Sequence, residues 1–190
     1  MAIKTFTTGE VLTAADTNTY LANSGLVLVK SVVLTSAATS GSEFQSIFTS
    51  TYDNYRIVCR TLTASTNGSQ PRFNFVYSGT TDQTTQHYFG LTTTSYNGTS
   101  SILAGGNLSY IGIGSFCDNI GSSSFTMDVL NIGAGSLNPS VLIQYNDGYN
   151  GTWSNGGGLQ GVGRDYDGLK FYMNTGNIAM TATIYGYRKA

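Results

Sequence analysis

Apolar and polar residues alternate along most of the chain after residue 25, and this alternation predicts β-strands. Successive side chains of a strand point to opposite faces of a sheet, so a strand with one buried face repeats every two residues. Tyr55–Leu62 and Met180–Tyr187 show the pattern most clearly. Further strands are expected at Leu26–Leu34, Phe73–Tyr77, His87–Thr93, Leu108–Gly114, Ser124–Asn131, Pro139–Tyr145 and Leu169–Met173.

Polar and glycine-rich segments separate the predicted strands. Asn67-Gly68 predicts a β-hairpin, because Asn and Gly tolerate the positive φ that a type I′ turn needs at both central positions, and Asn97-Gly98 predicts another turn. Looser connections are expected at residues 35–43, 133–138 and 146–168. About nine or ten strands with no helix between them predict an all-β fold, an antiparallel β-sandwich that is jelly-roll-like.

Helical spacing is confined to the start of the chain and to one short stretch, at Phe44, Ile47 and Phe48, that allows a single helical turn. Within residues 5–23, Thr13 is a plausible N-cap and Asp16 stands three positions later, as in a capping box. The predicted helix has about nine or ten residues, whereas isolated helices shorter than roughly 12 residues are marginal in water. It must therefore dock on something.

We expect two parts in the chain, an N-terminal arm with this short helix (residues 1–25) and a single β-sandwich domain (residues 26–190). Two interpretations of the helix stay open: it covers one end of the β-domain, or it anchors the protein on a neighbouring subunit. The residues expected to carry an anchoring contact are Phe6, Val11, Leu12, Tyr20 and Leu21.

The charge content argues against nucleic acid as a partner. Only 10% of the residues are charged, nine Lys and Arg against ten Asp and Glu, so there is no basic stripe to neutralise phosphates. The polar surface must come from uncharged residues, which suits a protein held in an assembly. No run of 18 apolar residues is present, so no membrane insertion is expected. Cys59 and Cys117 are expected to be buried free thiols, with a disulfide as the alternative.

Residues for catalysis, metals or cofactors are scarce. His87 is the only histidine and lies in a strand pattern, which disfavours a Ser-His-Asp triad and a His-rich metal site. Gly156, Gly158 and Gly161 match G-x-G-x-x-G, but no helix can follow them, so nucleotide binding is not expected. We therefore predict no enzyme activity, no cofactor and no metal site.

One set of aromatic, amide and carboxylate residues stands out near the glycine-rich segment. Such residues can stack on a sugar ring and bind its hydroxyl groups, or they can anchor a contact between subunits, and the sequence favours the subunit contact. The set consists of Tyr145, Asn146, Asp147, Tyr149, Trp153, Asn155 and Tyr166.

Three segments carry a resemblance to a known class of proteins. Residues Phe6–Leu21, FTTGEVLTAADTNTYL, resemble the start F-T-x-G-E-V-L-T-A-A-x-x-N of many small virion and tail-fibre-like proteins of tailed bacteriophages. Phe48–Ile57 is similar to a second block in such proteins, especially those of cyanophages and other marine phages, and the ending Tyr185–Lys189 recurs there.

The resemblance implies a structural virion protein. We expect this protein to be made in the host cytoplasm and to lie on the tail or capsid surface, with other virion proteins as partners. From the residues themselves we expect further copies in a homotrimer and a host-surface glycan as additional partners. A tail-associated fibre or adhesin is slightly favoured because the arm resembles tail-fibre starts. A capsid decoration (cement) protein is the alternative, and a glycan-active enzyme ranks third.

Overall fold

The computed structural model describes residues 7–11, 13, 25–37, 41–120, 123–132 and 137–188. Within these ranges the chain forms thirteen β-strands and no helix, and every strand pair is antiparallel. The prediction of an all-β antiparallel fold is therefore confirmed. The predicted N-terminal helix, which would follow Thr13, lies outside the described residues.

The strands follow one another along the chain with short connections. Their bounds are β1 Leu26–Ala37, β2 Ser42–Phe44, β3 Tyr52–Ala64, β4 Pro71–Tyr77, β5 Thr80–Thr81, β6 His87–Ser95, β7 Ser100–Leu108, β8 Ile111–Gly112, β9 Ser123–Leu130, β10 Ser140–Asp147, β11 Thr152–Gln160, β12 Tyr166–Met173 and β13 Ile178–Arg188.

The strands form two sheets. The large sheet has eight strands in the order β1-β13-β3-β9-β10-β11-β6-β7, and the small sheet has β2-β12-β4-β5 with β8 paired to β4. Side chains from both sheets point into one hydrophobic core between them. Phe125 of the large sheet, for example, packs on Phe171 of the small sheet with ring centroids 5.8 Å apart. The fold is therefore sandwich-like, as the alternation predicts.

The large sheet has two distinct ends. Because its strands are antiparallel and paired in register, Leu26 of β1, Tyr187 of β13 and Ser140 of β10 lie at one end, here called the Leu26 end. At the opposite end, called the Asp147 end, Asp147 of β10 pairs with Thr152 of β11, which in turn pairs with Ser95 of β6. Residues 1–24 therefore join the β-domain at the end opposite the β10–β11 and β6–β7 turns.

The connections differ from the predictions at several points. Asn97-Gly98 forms the predicted turn, which connects β6 to β7, but only Gly98 has a positive φ, +81°, so the turn is not of type I′. Asn67-Gly68 forms a turn but no hairpin, because it leads from β3 in the large sheet to β4 in the small sheet. The predicted helical turn at residues 44–48 is wrong, since Phe44 lies in β2 and the amides of Ile47 and Phe48 donate to the carbonyl of Asp167.

Two glycine-containing strands were not predicted from the sequence. β11 lies within residues 146–168, where a loose connection was predicted, and β7 was not predicted over most of its length. At Gly156 an added Cβ atom would lie 2.0 Å from the carbonyl oxygen of Gly90. The glycine therefore permits the close approach of β11 to β6, and a bulkier residue would separate the two strands.

Cys59 and Cys117 are buried free thiols, as expected, and burial raises the pKa of the Cys59 thiol to about 12. In the described ranges, no helix is long and apolar enough to cross a membrane.

Candidate functional site

A groove of ≈ 670 Å³ crosses the solvent-exposed face of the large sheet. This face is formed by the side chains that alternate with the core residues of β3, β9, β10 and β11, and we refer to the hollow as the outer groove. It is lined by Val58, Cys59, Arg60, Ser124, Phe125, Thr126, Gln144, Tyr145, Asn146, Trp153 and Asn155.

The strand register arranges the polar side chains of the outer groove in rows. Thr126 of β9 pairs with Gln144 of β10, and Gln144 pairs with Asn155 of β11. Neighbouring strands are about 4.8 Å apart, so such a row presents one hydroxyl or amide group at that interval across the sheet. A second row runs beside it toward the Asp147 end, through Ser124, Asn146 and Trp153.

These amide side chains are free to bind a ligand. Gln144, Asn146 and Asn155 are exposed, and their side chains make no hydrogen bond to any residue that the structure describes. An Asn or Gln side chain offers two N–H donors and a carbonyl acceptor. Trp153 stands beside them with 45% of its surface exposed. The outer groove thus combines an aromatic face with unpaired hydrogen-bonding groups.

Arg60 reaches the outer groove because of an irregularity in β3. The register with β9 shifts between Cys59 and Leu62, and in this bulge both Arg60 and Thr61 are exposed. A β-bulge inserts one extra residue and re-aims the side chains around it. Arg60 has no ion pair or hydrogen bond among the described residues.

A smaller hollow of ≈ 290 Å³ adjoins the outer groove toward the Leu26 end and shares Thr126, Gln144 and Asn155 with it. Its charged residues are already paired. Arg56 donates two hydrogen bonds of 2.8 Å to Asp128, and the Tyr187 hydroxyl donates a third of 2.7 Å. The hydrogen bond to Asp128 raises the pKa of Arg56. This pair therefore carries no net charge for a ligand.

The seven residues grouped by the sequence separate into exposed and buried ones. Asn146, Tyr149, Trp153 and Asn155 are exposed, and three of them line the outer groove, while Tyr149 lies in the β10–β11 turn. Tyr145, Asp147 and Tyr166 are buried, so the seven do not form one exposed cluster. The reason is the two-residue period of β10, which turns Tyr145 and Asp147 inward on either side of Asn146.

The buried members of the set have structural contacts. The Tyr145 hydroxyl donates to the carbonyl of Phe116, and burial raises its pKa. Asp147 is fully buried and accepts from the backbone amides of Tyr149 at 3.2 Å and Asn150 at 3.4 Å, which fixes the β10–β11 turn. These contacts leave neither side chain available to a ligand.

Tyr166 belongs to a buried polar cluster between the two sheets. Its hydroxyl donates to Asp82, and Asp82 also accepts from the side-chain amide of Gln160 at 2.9 Å. Burial raises the pKa of Asp82, but hydrogen bonds from Thr84 and Tyr166 outweigh it and lower the pKa overall. Burial and the hydrogen bond to Asp82 raise the pKa of Tyr166.

His87 completes this cluster and is fully buried. Its Nδ1 lies 3.0 Å from the carbonyl oxygen of Thr84 and 3.1 Å from that of Leu108, so Nδ1 carries the proton. Its Nε2 lies 3.3 Å from the side-chain amide nitrogen of Gln160, which also donates to Asp82 and Thr84. Burial lowers the pKa of His87, so the ring is neutral. No hydroxyl nucleophile contacts either ring nitrogen among these described neighbours.

Val11 is the one described residue among the five that were expected to anchor the arm. Val11 is 78% exposed, whereas Phe6, Leu12, Tyr20 and Leu21 lie outside the described residues. Across the described residues, no group of three or more His, Cys, Asp or Glu side chains is placed to hold a metal ion.

Sequence reasoning missed four polar lining residues, Arg60, Ser124, Thr126 and Gln144. The alternation of β9 and β10 contained the signal for Thr126 and Gln144, because both occupy the polar positions of predicted strands. The exposure of Arg60 depends on a bulge that the sequence does not reveal. Searches with the chain against protein-family models, curated proteins and solved structures found no match.

Proposed function

We propose that the protein is a non-enzymatic structural protein of a tailed-bacteriophage virion, with the outer groove as a surface that binds a host glycan. The observation that carries this proposal is the row of unpaired side chains of Gln144 and Asn155 next to the exposed ring of Trp153. Stiff aromatic rings bind at low entropic cost, and amides supply directed hydrogen bonds to hydroxyl groups.

The two ends of the large sheet support a tail-associated adhesin over a capsid decoration protein. Residues 1–24, which carry the tail-fibre resemblance, precede the Leu26 end. Trp153 lies one residue from the Asp147 end, because Asn146 pairs with it and Asp147 pairs with Thr152. If the arm is fixed in the tail, the outer groove would therefore lie toward the end of the protein that is farther from the tail.

Assembly with other copies belongs to the same proposal. β1 and β7 are the edge strands of the large sheet, and β1 exposes Leu28 and Val33. Open sheet edges are templates for further pairing, and only Lys30 interrupts β1 with a charge. We propose a homotrimer in which subunit contacts cover these edges, and a jelly-roll-like display domain within each subunit. Analytical ultracentrifugation tests the trimer, and a monomer at micromolar concentration contradicts it.

The capsid decoration protein remains the second candidate because of the exposed apolar residues on β1. In that case the β1 edge and the outer groove would both be covered by neighbours in the particle. Hundreds of copies per purified virion would favour this candidate, whereas a few tens or fewer would favour the tail. Quantitative mass spectrometry of purified particles distinguishes the two.

The substitution Trp153→Ala tests the glycan surface. We expect virions with this change to assemble normally and to lose adsorption to the host, since truncating an aromatic anchor costs on the order of 2 kcal/mol or more. Tyr149→Ala is the matched control, because Tyr149 is 57% exposed in the adjacent turn but does not line the outer groove. Weakened particles with unchanged adsorption would overturn the adhesin assignment and favour the decoration protein.

A further inference from the structure

Charge in the outer groove comes from Arg60. Among the eleven lining residues that the structure describes, Arg60 is the only charged one and none is a carboxylate. Arg56, which lines the adjoining hollow, is neutralised by Asp128. A ligand in the outer groove therefore meets the positive charge of Arg60. The guanidinium N–H groups of Arg60 have no hydrogen-bond acceptor among the described residues.

From this arrangement we infer that the outer groove binds an acidic polysaccharide, with Arg60 as the residue that recognises a sugar carboxylate. The inference rests on the proposed glycan-binding function and adds the class of glycan. A guanidinium presents its donors in a planar fork that matches the two oxygens of a carboxylate. The bulge after Cys59 leaves this fork exposed at the side of β3.

The other lining residues suit the neutral parts of such a chain. Trp153 is three strands away from Arg60 across the sheet, with Ser124 and Asn146 between them. With strands about 4.8 Å apart, this distance accommodates more than one sugar ring. One ring would stack on Trp153 while the carboxylate of a nearby ring reaches Arg60. The amides of Asn146 and Gln144 would then bind hydroxyl groups between the two contacts.

A dense polyanion does not fit the same surface. Binding to nucleic acid requires several cationic side chains that follow the phosphates, whereas the outer groove has one. The overall net charge of −1 adds no attraction. The expected ligand thus carries carboxylates that are separated by neutral hydroxyl-bearing surface.

The test compares full-length protein and variants on purified uronic-acid-containing bacterial polysaccharides and on the same preparations after chemical reduction of the carboxyl groups. We expect the wild type to bind the acidic form of at least one preparation and to bind its reduced form roughly tenfold or more weakly. Arg60→Gln should show the same loss on the acidic form. Lys30→Gln, which removes an exposed charge on β1 outside the outer groove, should bind like the wild type.

Two further measurements sharpen the result. Arg60→Lys keeps the charge but lacks the planar fork, so its affinity should lie between those of the wild type and Arg60→Gln. Raising the salt concentration to about 1 M shortens the screening length to about 3 Å. This should weaken binding to the acidic form more than binding to the reduced form.

The outcomes separate this inference from the proposed function. Equal binding of acidic and reduced forms, lost in Trp153→Ala but kept in Arg60→Gln, overturns the role of Arg60 and leaves a neutral-glycan surface. Failure of every polysaccharide to bind overturns the inference. If Trp153→Ala virions then also adsorb normally, the glycan-binding function fails with it.

Discussion

The hydroxyl of Tyr166 donates a 2.7 Å hydrogen bond to the buried carboxylate of Asp82, and this contact joins β12 to the segment after β5. Removing the hydroxyl with Tyr166→Phe leaves the ring in place and takes one donor from a buried charge. We expect the free energy of unfolding to fall by about 1–3 kcal/mol, measured by urea denaturation.

Tyr88→Phe is the matched control for this prediction. Its hydroxyl also donates a 2.7 Å hydrogen bond, to Asn107, but on the exposed surface. Its effect should stay within about 0.5 kcal/mol. Equal losses in the two variants would show that burial of the Asp82 contact does not matter.

The buried, neutral His87 predicts that stability decreases in mild acid. Burial lowers its pKa in the folded protein below the ordinary value of 6.5, so the unfolded chain binds more protons as the pH falls below that value. The contribution of His87 is fully present above pH 6.5 and is lost as the pH falls through the folded pKa. Urea midpoints should therefore be lower at about pH 5.5 than at about pH 7.5. His87→Gln should reduce the difference in urea midpoint between these two pH values. An unchanged difference in that variant would show that other groups cause the pH dependence.

Gly114 should tolerate no side chain. A Cβ atom there would lie 2.3 Å from the ring of Tyr145, which is held by its hydrogen bond to the Phe116 carbonyl. Gly114→Ala should lower the free energy of unfolding by roughly 1–3 kcal/mol through overpacking, measured by thermal or urea unfolding. Gly90→Ala serves as the control, since an added Cβ atom at Gly90 meets nothing within 4 Å. Similar stabilities for the two variants would contradict the packing argument.

The β-domain should fold without the arm. The described residues of the hydrophobic core all lie between Val32 and Ile184, so none of the described core contacts depends on residues 1–25. We expect the fragment 26–190 to show a β-type circular dichroism spectrum and a cooperative melting transition. If the proposed virion function holds, phage that encode only this fragment should give virions from which it is absent. Loss of the cooperative transition would place the arm in the core rather than in an anchor.

The strands with regular alternation were predictable, and the glycine-rich strands were not. β3 and β13 were recognised because one buried face imposes a two-residue period. The sequence predicts a loose connection where β11 lies, because Gly156–Gly158 carry no side chains that could show a two-residue alternation. The partition of strands between two sheets depends on contacts distant in sequence, and the turn at Asn67-Gly68 gives no sign that it crosses between sheets.

The candidate site was partly predictable for the same physical reasons. Asn146, Trp153 and Asn155 were chosen by residue type and do line the outer groove. Tyr145 and Asp147 have the same residue types but point inward, because β10 continues past the predicted strand end at Tyr145 to Asp147. Arg60 required knowledge of a bulge, which arises from the pairing of β3 with β9 and not from β3 alone.

The opposition of the Leu26 and Asp147 ends determines how the domain carries mechanical force. A pull between residue 25 and the β10–β11 turn runs along the strands, so the hydrogen bonds between β1 and β13 are loaded in shear and must break together. A pull between residues 25 and 188 acts at one end of that pair, where Leu26 faces Tyr187, and opens the bonds one after another. A tail-anchored protein held at its far end would use the stronger of these two directions, and single-molecule stretching along both directions would measure the difference.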